Sequence, residues 1–156
     1  MATLTVTLTE SISLNDREQG ATNSFTVANV DETYKRIVTC QEDSDTTIAT
    51  FKEHAHTDDN ALDVEDVKYI RVTNLDSTNP INLSLQIDAG EDNSAADEST
   101  TFLIEAGKSF VMGTPSDGIA VSDANATIVT ALHNLESLLV DPLSENVQVE
   151  VFIASA

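Results

Sequence analysis

Pro80-Ile81-Asn82-Leu83-Ser84-Leu85-Gln86-Ile87-Asp88 decides how this chain folds. Four large aliphatic residues, Ile81, Leu83, Leu85 and Ile87, alternate with Asn82, Ser84 and Gln86. A period of two puts the aliphatic set on one face of a β-strand and the amides and hydroxyl on the other; a helix would scatter them around its axis. Pro80 stands at the start, where a strand tolerates the missing N–H.

The same alternation recurs on either side. Thr3–Thr9 sets Leu4, Val6 and Leu8 against threonines, and the pattern can be followed to Ile12 and Leu14. Asn15–Gly20 reads as a polar turn closed by Gly. Ser24–Val30, Tyr34–Cys40, Thr46–Lys52 and Val147–Ile153 are further runs of β-formers. Val67–Asn74 puts Val67, Tyr69, Arg71 and Thr73 on one face and Ile70 and Val72 on the other. Leu75-Asp76-Ser77-Thr78-Asn79-Pro80 reads as a hairpin loop, and Ala106-Gly107 as a tight reversal between Thr101–Glu105 and Lys108–Met112. Residues 53–66 form a polar loop.

Residues 122–141 support two readings. Ile128, Leu132, Leu135 and Leu139 have helical spacing behind Ser122 or Asp123 as a cap. The β-branched run Ile128-Val129-Thr130 and the stretch Leu135–Val140 favour two strands over one helix across 123–140.

Nine or ten short strands with a turn signal every 8–12 residues or so predict an all-β chain, a β-sandwich or jelly roll, as one domain over residues 1–156. A chain of 156 residues buries about two-thirds of its unfolded surface and needs no disulfide or metal to fold. Trp is absent and aromatics make up 4% of residues, so the core falls to Ile, Leu, Val and a few Phe.

Charge narrows the partners. Seven Lys and Arg face 27 Asp and Glu, a net charge of −20, and no Lys or Arg follows Lys108. Nucleic acid binds by exchanging counterions for Lys and Arg, so it is not an expected partner. Anionic membrane surfaces are disfavoured on the same ground. No apolar run approaches the length of about 20 residues that spans a bilayer. Met1–Val6 lacks the basic segment and apolar core of a signal peptide. Synthesis in a cytoplasm is the expectation, and the sequons at Asn82 and Asn125 then carry no weight.

No motif assigns a catalytic residue or a cofactor. His54-Ala55-His56 places two imidazoles on one side of an extended segment, with Asp58 and Asp59 close behind, which is a metal-ligating arrangement. It matches part of a cupin motif, but no Glu stands three or four positions after His56, and loop histidines are the better reading. The acids Asp58, Asp59, Asp63, Glu65 and Asp66, and again Asp88, Glu91, Asp92, Asp97 and Glu98, offer oxygen ligands without the spacing of a calcium loop. Cys40 reads as a small buried hydrophobe. Tyr69 and Arg71, two apart on one strand face, are the candidates for an interface, since large amphipathic side chains anchor such surfaces. Cross-strand packing on an exposed sheet face explains them equally well.

Val67-Lys68-Tyr69-Ile70-Arg71-Val72-Thr73-Asn74-Leu75-Asp76, Phe102–Phe110 and the ending Val149–Ala156 resemble small structural proteins of tailed bacteriophages. The resemblance implies a non-enzymatic virion protein present in many copies. Within the virion it implies a decoration or cement protein on the outer capsid surface, made in the host cytoplasm. Its partners would be the major capsid protein and itself, as a homo-oligomer and by family habit a trimer. A −20 chain would be repelled by packaged DNA, which favours the outside of the shell. The alternatives are a tail, fibre or collar component for host attachment, and a cupin-like metal-binding protein with His54 and His56 as ligands.

Overall fold

The computed structural model describes residues 1–53, 60–90, 96, 98–122 and 128–156. The described residues form thirteen strands and no helix: β1 (Ala2–Thr9), β2 (Ser13–Leu14), β3 (Arg17–Glu18), β4 (Thr22–Val30), β5 (Glu32–Cys40), β6 (Thr46–Lys52), β7 (Leu62–Asp63), β8 (Val67–Asn74), β9 (Ile81–Asp88), β10 (Glu98–Ile104), β11 (Ser109–Met112), β12 (Asn134–Pro142) and β13 (Val147–Ser155). Three of these have only two residues, so the ten longer strands match the nine or ten expected.

Two sheets make the body. One has the order β11-β8-β13-β5, the other β10-β9-β12-β6-β7. Without the two-residue β7 and the four strands before β5, eight strands remain. The four-stranded sheet takes the first, eighth, third and sixth of them; the larger sheet takes the second, seventh, fourth and fifth. That is jelly-roll order, a sandwich in which the chain passes back and forth between layers. The aliphatic face of β9 packs inward with Ile70 and Val72 of β8, Leu138 and Val140 of β12, and Val149 and Val151 of β13. These side chains and Phe51 are all buried and form a largely aliphatic core.

This topology overturns two expected hairpins. Of the eight body strands, only β9 and β10 are both consecutive and paired. Residues 75–80 carry the chain from β8 in one sheet to β9 in the other, and Ala106-Gly107 carries it from β10 to β11 in the same way. The first corner is built by side chains. Asn74, fully buried, donates through Nδ2 to the carbonyls of Asn79 (2.8 Å) and Ile104 (3.2 Å) and accepts from the Asp76 N–H at 2.9 Å. Asp76 Oδ1 in turn accepts from the N–H groups of Thr78 and Asn79, both at 2.7 Å. Asx side chains replace here the backbone bonds that a hairpin would have made.

Three further expectations are corrected, two of them by bulges. Glu136 is an extra residue in β12 where it pairs with β9, between Leu135↔Ile87 and Ser137↔Gln86. The bulge lets Leu135 and Leu138, an odd number apart, both reach the core, and it produces the mixed periodicity seen in the sequence. Residues 122–141 thus contain one strand of β12 type. The expected first strand is absent from 128–132, and 123–127 lie outside the described residues. Ile128 is 93% exposed and Leu135 1%, so the helical spacing marks no common face. In β8, Lys68 is the extra residue between Val67↔Ser155 and Tyr69↔Ala154, which turns Val67 into the core and away from Tyr69 and Arg71. Within 53–66, β7 runs parallel to β6 and Val64 is buried.

Candidate functional site

The first thirty residues behave unlike the body. Among the described residues β1 and β4 pair only with each other, as an antiparallel ribbon. At its tip β2 and β3 close around Asn15 and Asp16, both with positive φ (53° and 59°), the geometry of a two-residue hairpin turn. The Glu18 carboxylate accepts the N–H groups of Gly20 (2.8 Å) and Ile12 (3.1 Å), and those bonds hold its pKa below the ordinary value. Near the ribbon's base Ala28 and Asn29 oppose Thr3 alone, with Asn29 in the left-handed region (φ 61°). This bulge sharpens the twist before the chain enters β5.

Alternation gives the ribbon two faces. The pairs Leu4–Val27 and Val6–Phe25 lie on one face; Thr5–Thr26, Thr7–Ser24 and Thr9–Thr22 lie on the other. The hydroxyls of Thr7 and Ser24 meet at 2.9 Å. Leu4, Val6 and Val27 pack with Val30 onto Tyr69, Phe152 and Ala154 on the outer face of the four-stranded sheet. The Tyr69 ring lies 6.1 Å from those of both Phe25 and Phe152. From Thr7 to Thr26 every residue but Gly20 is exposed. Leu8 (54%), Ile12 (55%), Leu14 (52%) and Phe25 (45%) therefore stand largely in water. The expectation that the Leu4–Leu14 pattern is one half-buried strand holds only for its first residues; β1 ends at Thr9.

A groove of about 380 Å3 runs between β1 and the sheet, lined by Leu4, Thr5, Val6 and Thr7 on one side and by Lys35, Tyr69, Arg71 and Phe152 below. Both sequence-derived interface candidates are here. Tyr69 is only 5% exposed, because its ring anchors the chain's own ribbon. Arg71 is engaged with Thr73 and with Glu150, which also meets Lys35 Nζ at 3.4 Å. The Arg71 guanidinium, aided by Lys35, holds the Glu150 carboxyl below its ordinary range. Lys35 and Arg36 on β5 and Lys68 and Arg71 on β8 put four of the seven cations on the four-stranded sheet. On the outer face of the other sheet Asn82, Ser84 and Gln86 of β9 pair with Asp141, Leu139 and Ser137 of β12, and Leu103 of β10 stands beside Asn82.

Most of the remaining sequence candidates, His54, His56, Asp58, Asp59, Glu91, Asp92 and Asp97, lie outside the described residues. Among the described residues no group of three His, Cys, Asp or Glu side chains is placed to hold a metal ion. Cys40 is buried, and desolvation pushes its thiol pKa up, as for a packed small hydrophobe. The crevice bounded by Lys52, Glu53, Asp88, Asn134 and Glu136 measures about 10 Å3, room for roughly one water. It is knotted by Asn134, which donates to Glu53 Oε1 (2.7 Å) and accepts from the Asp117 N–H (2.8 Å).

Sequence reasoning missed the ribbon as a surface. A signal was present: β1 and β4 contain no charged residue in a chain of net charge −20. No protein-family model, curated protein or solved structure matches the chain.

Proposed function

We propose that this protein is a non-enzymatic virion structural protein of the decoration or cement type, seated on the outer capsid surface and bridging major capsid protein subunits. The observation that carries the adhesive reading is the ribbon. A two-stranded ribbon is marginal in water by itself, and this one holds Leu8, Ile12, Leu14 and Phe25 in the open. Such a projection completes its packing against other molecules. The phage setting rests on the sequence resemblance. The net charge of −20 supports an external position, away from packaged nucleic acid. A jelly roll suits capsid proteins, lectins and cupins alike, so the surfaces and not the fold must carry the choice.

The mechanism is mechanical. Ribbons and sheet faces span neighbouring shell subunits, and binding that favours the intact shell raises its resistance to disassembly. The test is to add the purified protein to phage shells lacking it, count copies per particle and heat the particles. Hundreds of copies and a higher disruption temperature are expected. A dozen copies or fewer would point to the tail, fibre or collar reading. Stoichiometric transition metal in the purified protein, lost on replacing His54 and His56, would point to the cupin-like one.

A further inference from the structure

Sheet edges in the body are guarded. β5 carries Glu32, Lys35 and Arg36, β10 begins at Glu98, β11 has four residues and β7 two. Charge and shortness are the usual means of stopping an edge from pairing with another chain. β1 and β4 use neither: they are eight and nine residues long and uncharged, and among the described residues each has an edge bonded to no strand.

The charge map selects the occupant. Two copies at −20 repel across their acidic bodies, over a Debye length of about 8 Å at physiological salt. Close approach costs least at a surface that carries no acid, and β1 and β4 carry none. A basic partner would gain from the acids of the body and nothing from a neutral edge. β1 also has the right symmetry. Thr3-Leu4-Thr5-Val6-Thr7-Leu8-Thr9 reads the same in both directions about Val6. Antiparallel pairing about a two-fold axis at Val6 sets Leu4 opposite Leu8 of the second copy and Thr5 opposite its Thr7, so apolar and hydroxyl faces both continue across the junction. The groove beneath the ribbon is lined by β1 and by no residue of β4.

We infer that β1 is a self-association strand: two copies pair β1 to β1 into a four-stranded ribbon, making an isologous dimer. The added edge is about 26 Å long for eight residues at about 3.3 Å each. The inference concerns the isolated protein and does not depend on the virion reading.

Sedimentation equilibrium of the full chain at physiological salt, with Thr7→Glu and Thr26→Glu, tests it. Thr7 and Thr26 are both exposed and share the ribbon's hydroxyl face, on β1 and β4 respectively. The wild type is expected at twice its 16.7 kDa chain mass. Thr7→Glu should weaken the dimer by about tenfold or more, and Thr26→Glu much less. Hydrogen exchange gives a second readout: β1 amides should gain protection as concentration rises. A wild type that stays monomeric to near-millimolar concentration, a trimer, or a dimer indifferent to Thr7→Glu overturns the inference. A monomer that still coats shells would overturn the dimer and leave the capsid reading standing.

Discussion

Replacing Asn74 with Ala tests whether the β8–β9 corner holds the two sheets together. Asn74 is fully buried and makes three hydrogen bonds, to the Asn79 and Ile104 carbonyls and from the Asp76 N–H. At about 1 kcal/mol net for each bond, the substitution costs about 3 kcal/mol. Ile104 is itself buried, so its carbonyl is the group least able to recover a water. For a chain of this size about 3 kcal/mol lowers the melting temperature by roughly 6–12 °C. Urea unfolding followed by circular dichroism measures the loss as a lower midpoint at unchanged slope. Asp76→Ala is the comparison. It removes two bonds at the same corner, but the released N–H groups of Thr78 and Asn79 lie near the surface and regain water, so the loss should be smaller. A loss under about 1 kcal/mol for Asn74→Ala, or an equal loss for the two variants, would refute the buried-network argument.

Three other outcomes are expected. Tyr69→Ala should release the ribbon's base from Phe152 and Ala154, so that amides of residues 2–30 lose exchange protection while those of β9 and β12 keep theirs; uniform loss across the chain would mean the ribbon is integral to the core. Glu150 is held below its ordinary pKa of 4.5 by Arg71 and then Lys35, so its contribution is present above that value and is lost as pH falls through the folded value. The stability gap between wild type and Glu150→Gln should therefore be constant near neutrality and close below about pH 4.5; a gap that widens in acid has the wrong sign. Gly107 has a φ of 70° with nothing near the position of an added Cβ, so Gly107→Ala should cost only backbone strain, about 1 kcal/mol by denaturant titration, and an unchanged midpoint would show that the corner relaxes.

Much of the strand inventory was legible, because alternation is a local signal. Ile81–Ile87 could bury its aliphatic side in only one way, and β9 does so. Legibility failed where an extra residue shifted the period. Lys68 and Glu136 each occupy a bulge, and each reassigns a hydrophobic neighbour, Val67 or Leu135, to a face that strict alternation denies it. Nothing in those two residues announces a bulge; the register is imposed by the strands alongside. The candidate site was only partly readable. Tyr69 and Arg71 do border the groove, but the ribbon that forms its other wall resembles any half-buried strand in sequence.

An acidic chain of alternating strands, with an aliphatic core and two uncharged strands among its first thirty residues, is readable without any coordinates. Pattern and composition decide those features residue by residue. Which strands share a sheet, the crossing of residues 75–80 and 106–107 between layers, and the departure of β1 and β4 from the sandwich emerge from the folded arrangement. The physical reason is that alternation specifies which face of a strand is buried and is silent about its partner. Partner choice depends on how all eight body strands bury their faces at once, and a pair left over from that solution projects into water.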